Sequence, residues 1–141
     1  MTGNTTPVYA AAKSTEGHDD DALALAHTLF QAAREGDAAL LGPYLEAGVP
    51  ATMTNSAGDS LLMLAAYHGH AGTVQLLLQH GADANTANDR GQTPLAGAAF
   101  KGYTDVARVL LGAGADPDAG APSARAAAQM FARKEILDLL G

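Results

Sequence analysis

The sequence contains no cysteine and no tryptophan. Without thiols it can form neither a disulfide framework nor a cysteine metal site. Aromatic residues make up only 5% of the chain, although 48% of it is hydrophobic. Alanine and leucine carry most of that content, a palette suited to thin, closely packed helices and not to an aromatic-rich sheet. Lysine and arginine total 8 against 15 aspartates and glutamates, for a net charge of −7. This balance argues against binding a nucleic-acid backbone, which calls for clustered cations. It favours a protein partner with a neutral or basic surface. No apolar run approaches the roughly 20 residues of a membrane-spanning helix. Met1 to Ser14 lacks a basic stretch leading into an apolar one, so no secretory signal is expected and the cytoplasm is the expected location. The alanine- and glycine-rich, lysine-poor composition suggests a GC-rich bacterial gene.

What the chain does have is a repeat. Gly58, Leu62, Ala66, Gly69 and Gly81-Ala82-Asp83 return thirty-three residues later as Gly91, Leu95, Ala99, Gly102 and Gly114-Ala115-Asp116. Val74 finds its counterpart in Val106, one residue off the period. A fixed period of this size marks a stack of small units, none able to bury its apolar face alone. The phase places an N-capping unit at 22–54, a second at 55–87, a third at 88–120 and a shortened C-terminal cap at 121–141. Residues 1–21, small, polar and ending in Asp19-Asp20-Asp21, read as a flexible acidic tail whose aspartates cap a helix near Ala22.

Each unit reads as helix, tight turn, helix, loop. Val106, Val109 and Leu110 stand at helical spacing, as do Val74, Leu77 and Leu78. Thr93-Pro94 is a helix start, with threonine as N-cap and proline at the first helical position; Ser60-Leu61 keeps the cap without the proline. Gly36, Gly69 and Gly102 fall in the turn between helices, and Gly48, Gly81 and Gly114 follow the second helix. Dropping three residues from the last loop aligns Ser123 with Thr93, and Ile136, Leu139 and Leu140 with Val106, Val109 and Leu110. Pro43 falls inside the second helix of the first unit, which is therefore expected to kink or to start late.

Gly91-Gln92-Thr93-Pro94-Leu95, Ala98-Ala99, Gly102, Val109-Leu110-Leu111 and Gly114-Ala115-Asp116 resemble an ankyrin repeat. Gly58, Leu62, Ala65-Ala66, Gly69-His70, Leu76-Leu77-Leu78 and Gly81-Ala82-Asp83 do so in the second unit, and Ala33, Gly36-Asp37, Leu45 and Gly48 in the first. The resemblance covers about residues 22 to 141 and implies an all-α solenoid of stacked helix-turn-helix units joined by β-turn loops. It departs from the family where histidine usually follows Thr-Pro-Leu: Ala96 and Met63 stand there, so looser caps are expected at Thr93 and Ser60.

The resemblance also implies that exposed positions of the first helices line a concave binding groove: Arg34, Glu35, Tyr67, His68, Phe100 and Lys101. The loop tips would add Ser56, Ala57 and Asp59, then Asp89, Arg90 and Gln92. Tyr67 and Phe100 share one column, which suits either a binding anchor or a ring lying over the alanine-rich helix of the next unit. Tyr103 is expected to pack, and Tyr44 and Phe30 to belong to the core.

Catalysis and metal binding find little support. The glycine between His68 and His70 should send the two rings different ways, and no carboxylate stands at ligand spacing. His18 with the three aspartates reads as a solvated, helix-capping charge run. His80 sits at a helix end, and His27 occupies the N-cap column of the first unit without an evident partner. No serine lies in a Gly-x-Ser-x-Gly setting, and the glycines mark turns rather than a phosphate cradle. Asp83 and Asp116 recur for structural reasons. No enzyme activity, cofactor or metal is expected. The sequence points to a protein-binding adaptor or regulator, and its acidic balance to partner Lys or Arg residues facing Asp59, Asp83, Asp89, Asp116 and Asp118. A stoichiometric inhibitor of a partner enzyme and a self-associating scaffold are the alternatives.

Overall fold

The computed structural model describes residues 19–141. The expected tail up to residue 18, including His18, lies outside the described residues. Eight helices follow one another: α1 (Asp19–Glu35), α2 (Ala38–Glu46), α3 (Leu61–Tyr67), α4 (Ala71–Gln79), α5 (Pro94–Lys101), α6 (Thr104–Gly112), α7 (Ala124–Met130) and α8 (Lys134–Leu140). They pair into four units. First helices stack on first helices and second on second, giving two layers. Strand structure among the described residues is confined to two isolated bridges, Thr54 with Ser60 and Gly120 with Ser123.

Alanine pairs explain how the first helices approach so closely. Ala32-Ala33, Ala65-Ala66, Ala98-Ala99 and Ala127-Ala128 are all buried, one pair per unit, and such small side chains let neighbouring helices come close. Leu29, Leu62, Leu95, Leu41, Leu77, Leu110 and Ile136 complete one continuous core. In the second helices the buried sets are Thr73, Val74 and Leu77, then Val106, Ala107 and Leu110. The unbroken period therefore holds in space: Val106 replaces Thr73 and Ala107 replaces Val74, so the one-residue slip expected from sequence is not needed.

Three further expectations need correction. Helix α1 begins at Asp19, so Asp20 and Asp21 belong to its first turn and not to a tail, and His27 lies mid-helix and not at a cap. Leu25 and Ala26 pack against the core and support the added turns. Helix α2 starts at Ala38, directly after the turn, and continues through Pro43. Asp37 caps it by accepting from Leu40 N at 3.1 Å. The proline removes one internal donor, yet it is exposed and the start is not delayed. Finally, the caps are closed despite the missing histidines. Ser60 Oγ accepts from Met63 N at 3.0 Å and Thr93 Oγ1 from Ala96 N at 3.1 Å, both buried. Ser123 does the same for Ala126 N. Phe30 is core as expected, and Tyr44 packs half-buried against it.

The inner turns join the units. Gly36, Gly69 and Gly102 all have positive φ, and the residue after the next unit's turn packs on each: His70 on Gly36, Tyr103 on Gly69, Arg133 on Gly102. Tyr103 is thus the packing residue that its column suggests.

A candidate partner-binding groove

The first-helix layer carries a row of rings at its exposed edge. Tyr67, at the end of α3, and Phe100, near the end of α5, stack with centroids 6.4 Å apart and planes 8° from parallel. Phe131, just after α7, meets Phe100 edge-on at 4.8 Å and 87°. Lys101 Nζ lies 5.1 Å from the Tyr67 ring centroid, and Arg133 Cζ lies 5.9 Å from that of Phe131, both within reach of a cation–π attraction. Phe100 and Phe131 remain 42% and 41% exposed and Met130 68%, so three of the four exposed large hydrophobics among the described residues gather here.

These side chains enclose a recess of about 230 Å³, lined by apolar groups between Tyr67, Phe100, Met130 and Phe131, with Gly97 and Pro122 at its walls. Gly97 matters to its depth, because a Cβ there would press on the Tyr67 ring and the Met63 methyl. A second recess of about 250 Å³ lies on the other side of Tyr67. Arg34, Asp59, His68 and Arg90 make it polar, and Gln92 borders both.

The second recess is organised by a loop network. Asn88 is buried; its Nδ2 donates to Asp59 Oδ1 at 2.8 Å and to Gln92 Oε1 at 2.9 Å. Arg90 Nε and Nη2 donate to the same Gln92 oxygen at 3.2 and 3.0 Å. Among the described residues the Arg34 guanidinium reaches only Gln31 Oε1, at 3.4 Å. Partial desolvation of this largely exposed ring, and then the positive charges of His70, Lys101 and Arg34, hold the His68 pKa below its usual value. The two histidines do part: His68 meets Tyr67 edge-on, while His70 Nε2 lies 2.7 Å from Arg34 O. Among the described residues no group of three or more histidines and carboxylates is placed to hold a metal ion.

Of the residues singled out from sequence, Arg34, Asp59, Tyr67, His68, Arg90, Gln92 and Phe100 line the two recesses, and Lys101 lies against Tyr67. Glu35 does not join them. It accepts from Gln31 Nε2 at 2.8 Å and lines a separate hollow with His27 and Asp37. Asp89 sits over Gly58 and ties its own amide to Ala57 O. Met130, Phe131 and Arg133 were not foreseen. With the three-residue deletion carried through, Met130 falls in the column of Tyr67 and Phe100, a signal available in the sequence; Phe131 falls one column later.

A family model described as ankyrin repeats (3 copies) matches residues 29–121. The chain belongs to the ankyrin repeat family. The matched span includes the first three helix pairs except for the start of α1, and the ankyrin assignment agrees with the all-α, turn-linked architecture. Ankyrin repeats are generally protein–protein interaction modules, a role open to a row of exposed rings. No curated protein matches the chain. No helix among the described residues is long and apolar enough to cross a membrane.

Proposed function

We propose that this ankyrin stack is a non-enzymatic, cytoplasmic adaptor or regulator that holds a partner protein in the groove along its first helices, with the loop tips as a rim. The observation that carries this reading is the row formed by half-buried Tyr67 and exposed Phe100 and Phe131, continued by Met130. Large exposed apolar groups clustered on one face mark interaction surfaces, and rigid aromatic side chains with nearby arginines are the usual energetic centre of such contacts. Potential catalytic groups nearby are committed elsewhere: His70 to the Arg34 carbonyl, and Asp59 to Asn88.

The test is quantitative capture from native lysate by the parent chain and by a Phe100→Ala/Phe131→Ala variant with unchanged circular dichroism. A protein retained by the parent and lost by the variant, and then shown to bind as a purified pair, is the partner. Equal retention by both moves the binding surface away from the groove and ends this reading.

A further inference from the structure

We infer that the groove receives an acidic, apolar segment of its partner: one large apolar side chain between Phe100, Met130 and Phe131, and a nearby carboxylate beside Arg34 and Arg90. This deepens the groove reading and rests on it.

Size is the first argument. At about 230 Å³ the apolar recess is smaller than the roughly 300–1,000 Å³ of a small-molecule site. It suits a single bulky side chain. Because Tyr67 and Gln92 border both recesses, a chain whose side chain enters one would bring neighbouring residues to the other.

Charge is the second. The chain is acidic overall, with a net charge of −7, yet the groove is edged by Arg34, Arg90, Lys101 and Arg133, none ion-paired to a carboxylate among the described residues. Their partners are neutral: the Gln31 and Gln92 amides, the Tyr67 ring and the Phe100 carbonyl. The two remaining arginines, both away from the groove, do have carboxylates. Arg108 meets Asp105 at 2.9 Å and Arg125 meets Asp118 at 2.8 Å. Asp59 is the one carboxylate in the polar recess, and Asn88 already donates to it at 2.8 Å. Asp105, Glu135 and Asp138 lie on the second helices, in the other layer. The acidity of the chain and the chemistry of its groove therefore have opposite signs, and charge complementarity selects carboxylates as the rim partners.

The experiment selects phage-displayed random dodecapeptides on the full chain, with counter-selection on Phe100→Ala/Phe131→Ala. Chosen peptides are then titrated against the parent, Arg34→Gln/Arg90→Gln and Met130→Ala. The expected result is peptides with a Leu, Phe, Tyr or Trp anchor and Asp or Glu close by. Their affinity should fall about three- to tenfold in the arginine variant and fall again with added salt. Groove-dependent peptides without acidic enrichment, or with Lys or Arg, overturn this inference while leaving the groove reading intact. Peptides indifferent to Phe100→Ala/Phe131→Ala, or no peptides, overturn both. Sedimentation equilibrium covers the other occupant: a dimer dispersed by Phe100→Ala would assign the groove to a second copy and overturn the acidic-segment assignment. Because Phe100 and Met130 are exposed, the single variants Phe100→Ala and Met130→Ala keep the test valid if the double variant loses its fold.

Discussion

The His70 ring fills the space in front of Gly36, and its Nε2 lies 2.7 Å from the carbonyl oxygen of Arg34, thirty-six residues earlier. Gly36 is therefore fixed by two independent demands: a φ of +76° and the absence of any side chain where the imidazole lies.

Replacing Gly36 should reveal both demands. Gly36→Ala is expected to cost about 2 kcal/mol, from the left-handed penalty of a Cβ and the displaced hydrogen bond. In a His70→Ala background the same change should cost less, because the obstructing ring is gone. Urea denaturation of the four proteins gives the coupling directly; strict additivity would disprove the steric contribution.

Ala132 supplies the opposite case. It occupies the fourth position of this glycine column and is the one non-glycine described residue with positive φ, +55°. Ala132→Gly should raise stability by about 0.5–1 kcal/mol, the left-handed penalty less the added freedom of the unfolded glycine. A thermal melt should rise by roughly 2–4 °C.

The threonine cap is testable without touching the groove rings. Thr93→Ala leaves the Ala96 amide buried without its acceptor and should cost about 1–2 kcal/mol. Thr93→Ser keeps the oxygen and should recover much of that loss, as read from the urea midpoint.

Acid should weaken the fold through His68. Its folded pKa lies below the usual 6.5, through partial desolvation first and then the charges of His70, Lys101 and Arg34. Unfolded chains thus take up this proton first as pH falls. The contribution is complete above 6.5 and is lost as pH drops through the folded value. His68→Gln should remove this part of the pH dependence in melts between neutral and mildly acidic buffer.

Groove variants should separate stability from binding. Phe100→Ala and Phe131→Ala remove partly exposed rings, so each should cost about 1 kcal/mol or less. Partner affinity should fall more than tenfold, as expected of aromatic anchors. Calorimetric titration and melting curves on the same samples distinguish the two effects.

Residues repeating on the period were legible from the sequence alone. The period placed Tyr67 and Phe100 in one column, Thr93 and Ser60 at caps, and the glycines in their turns, because each property depends on a residue's place within its own unit. Properties depending on the neighbouring unit were hidden. Phe131 stands one column later than Phe100, and their contact crosses between units. Glu35 follows Arg34 by one residue, and a helical step of about 100° carries it out of the groove. The early start of α1 depends on Leu25 and Ala26 finding core to cover. Deleting the usual histidine did not loosen the caps, since burial holds the hydroxyls in place.

The hydrogen bonds that cross between units are unevenly shared. Units two and three are tied by Asn88 to Asp59, Asp89 N to Ala57 O, Asn85 Nδ2 to Gly114 O and Asp116 N to Asn85 Oδ1. The last junction has as many: Arg133 to Phe100 O, Ala121 N to Gly91 O, Arg125 N to Pro117 O and Arg125 Nε to Asp118 Oδ1, whereas the first has His70 on Arg34 O. In a stack whose neighbours alone hold each unit, fraying proceeds inward from such an end. The sparsely bonded end is the first unit, so Tyr67, Phe100, Met130 and Phe131 all stand on the block that opens last. The apolar recess therefore outlasts the fraying of the first unit, while the polar recess beside it loses Arg34 when that unit opens.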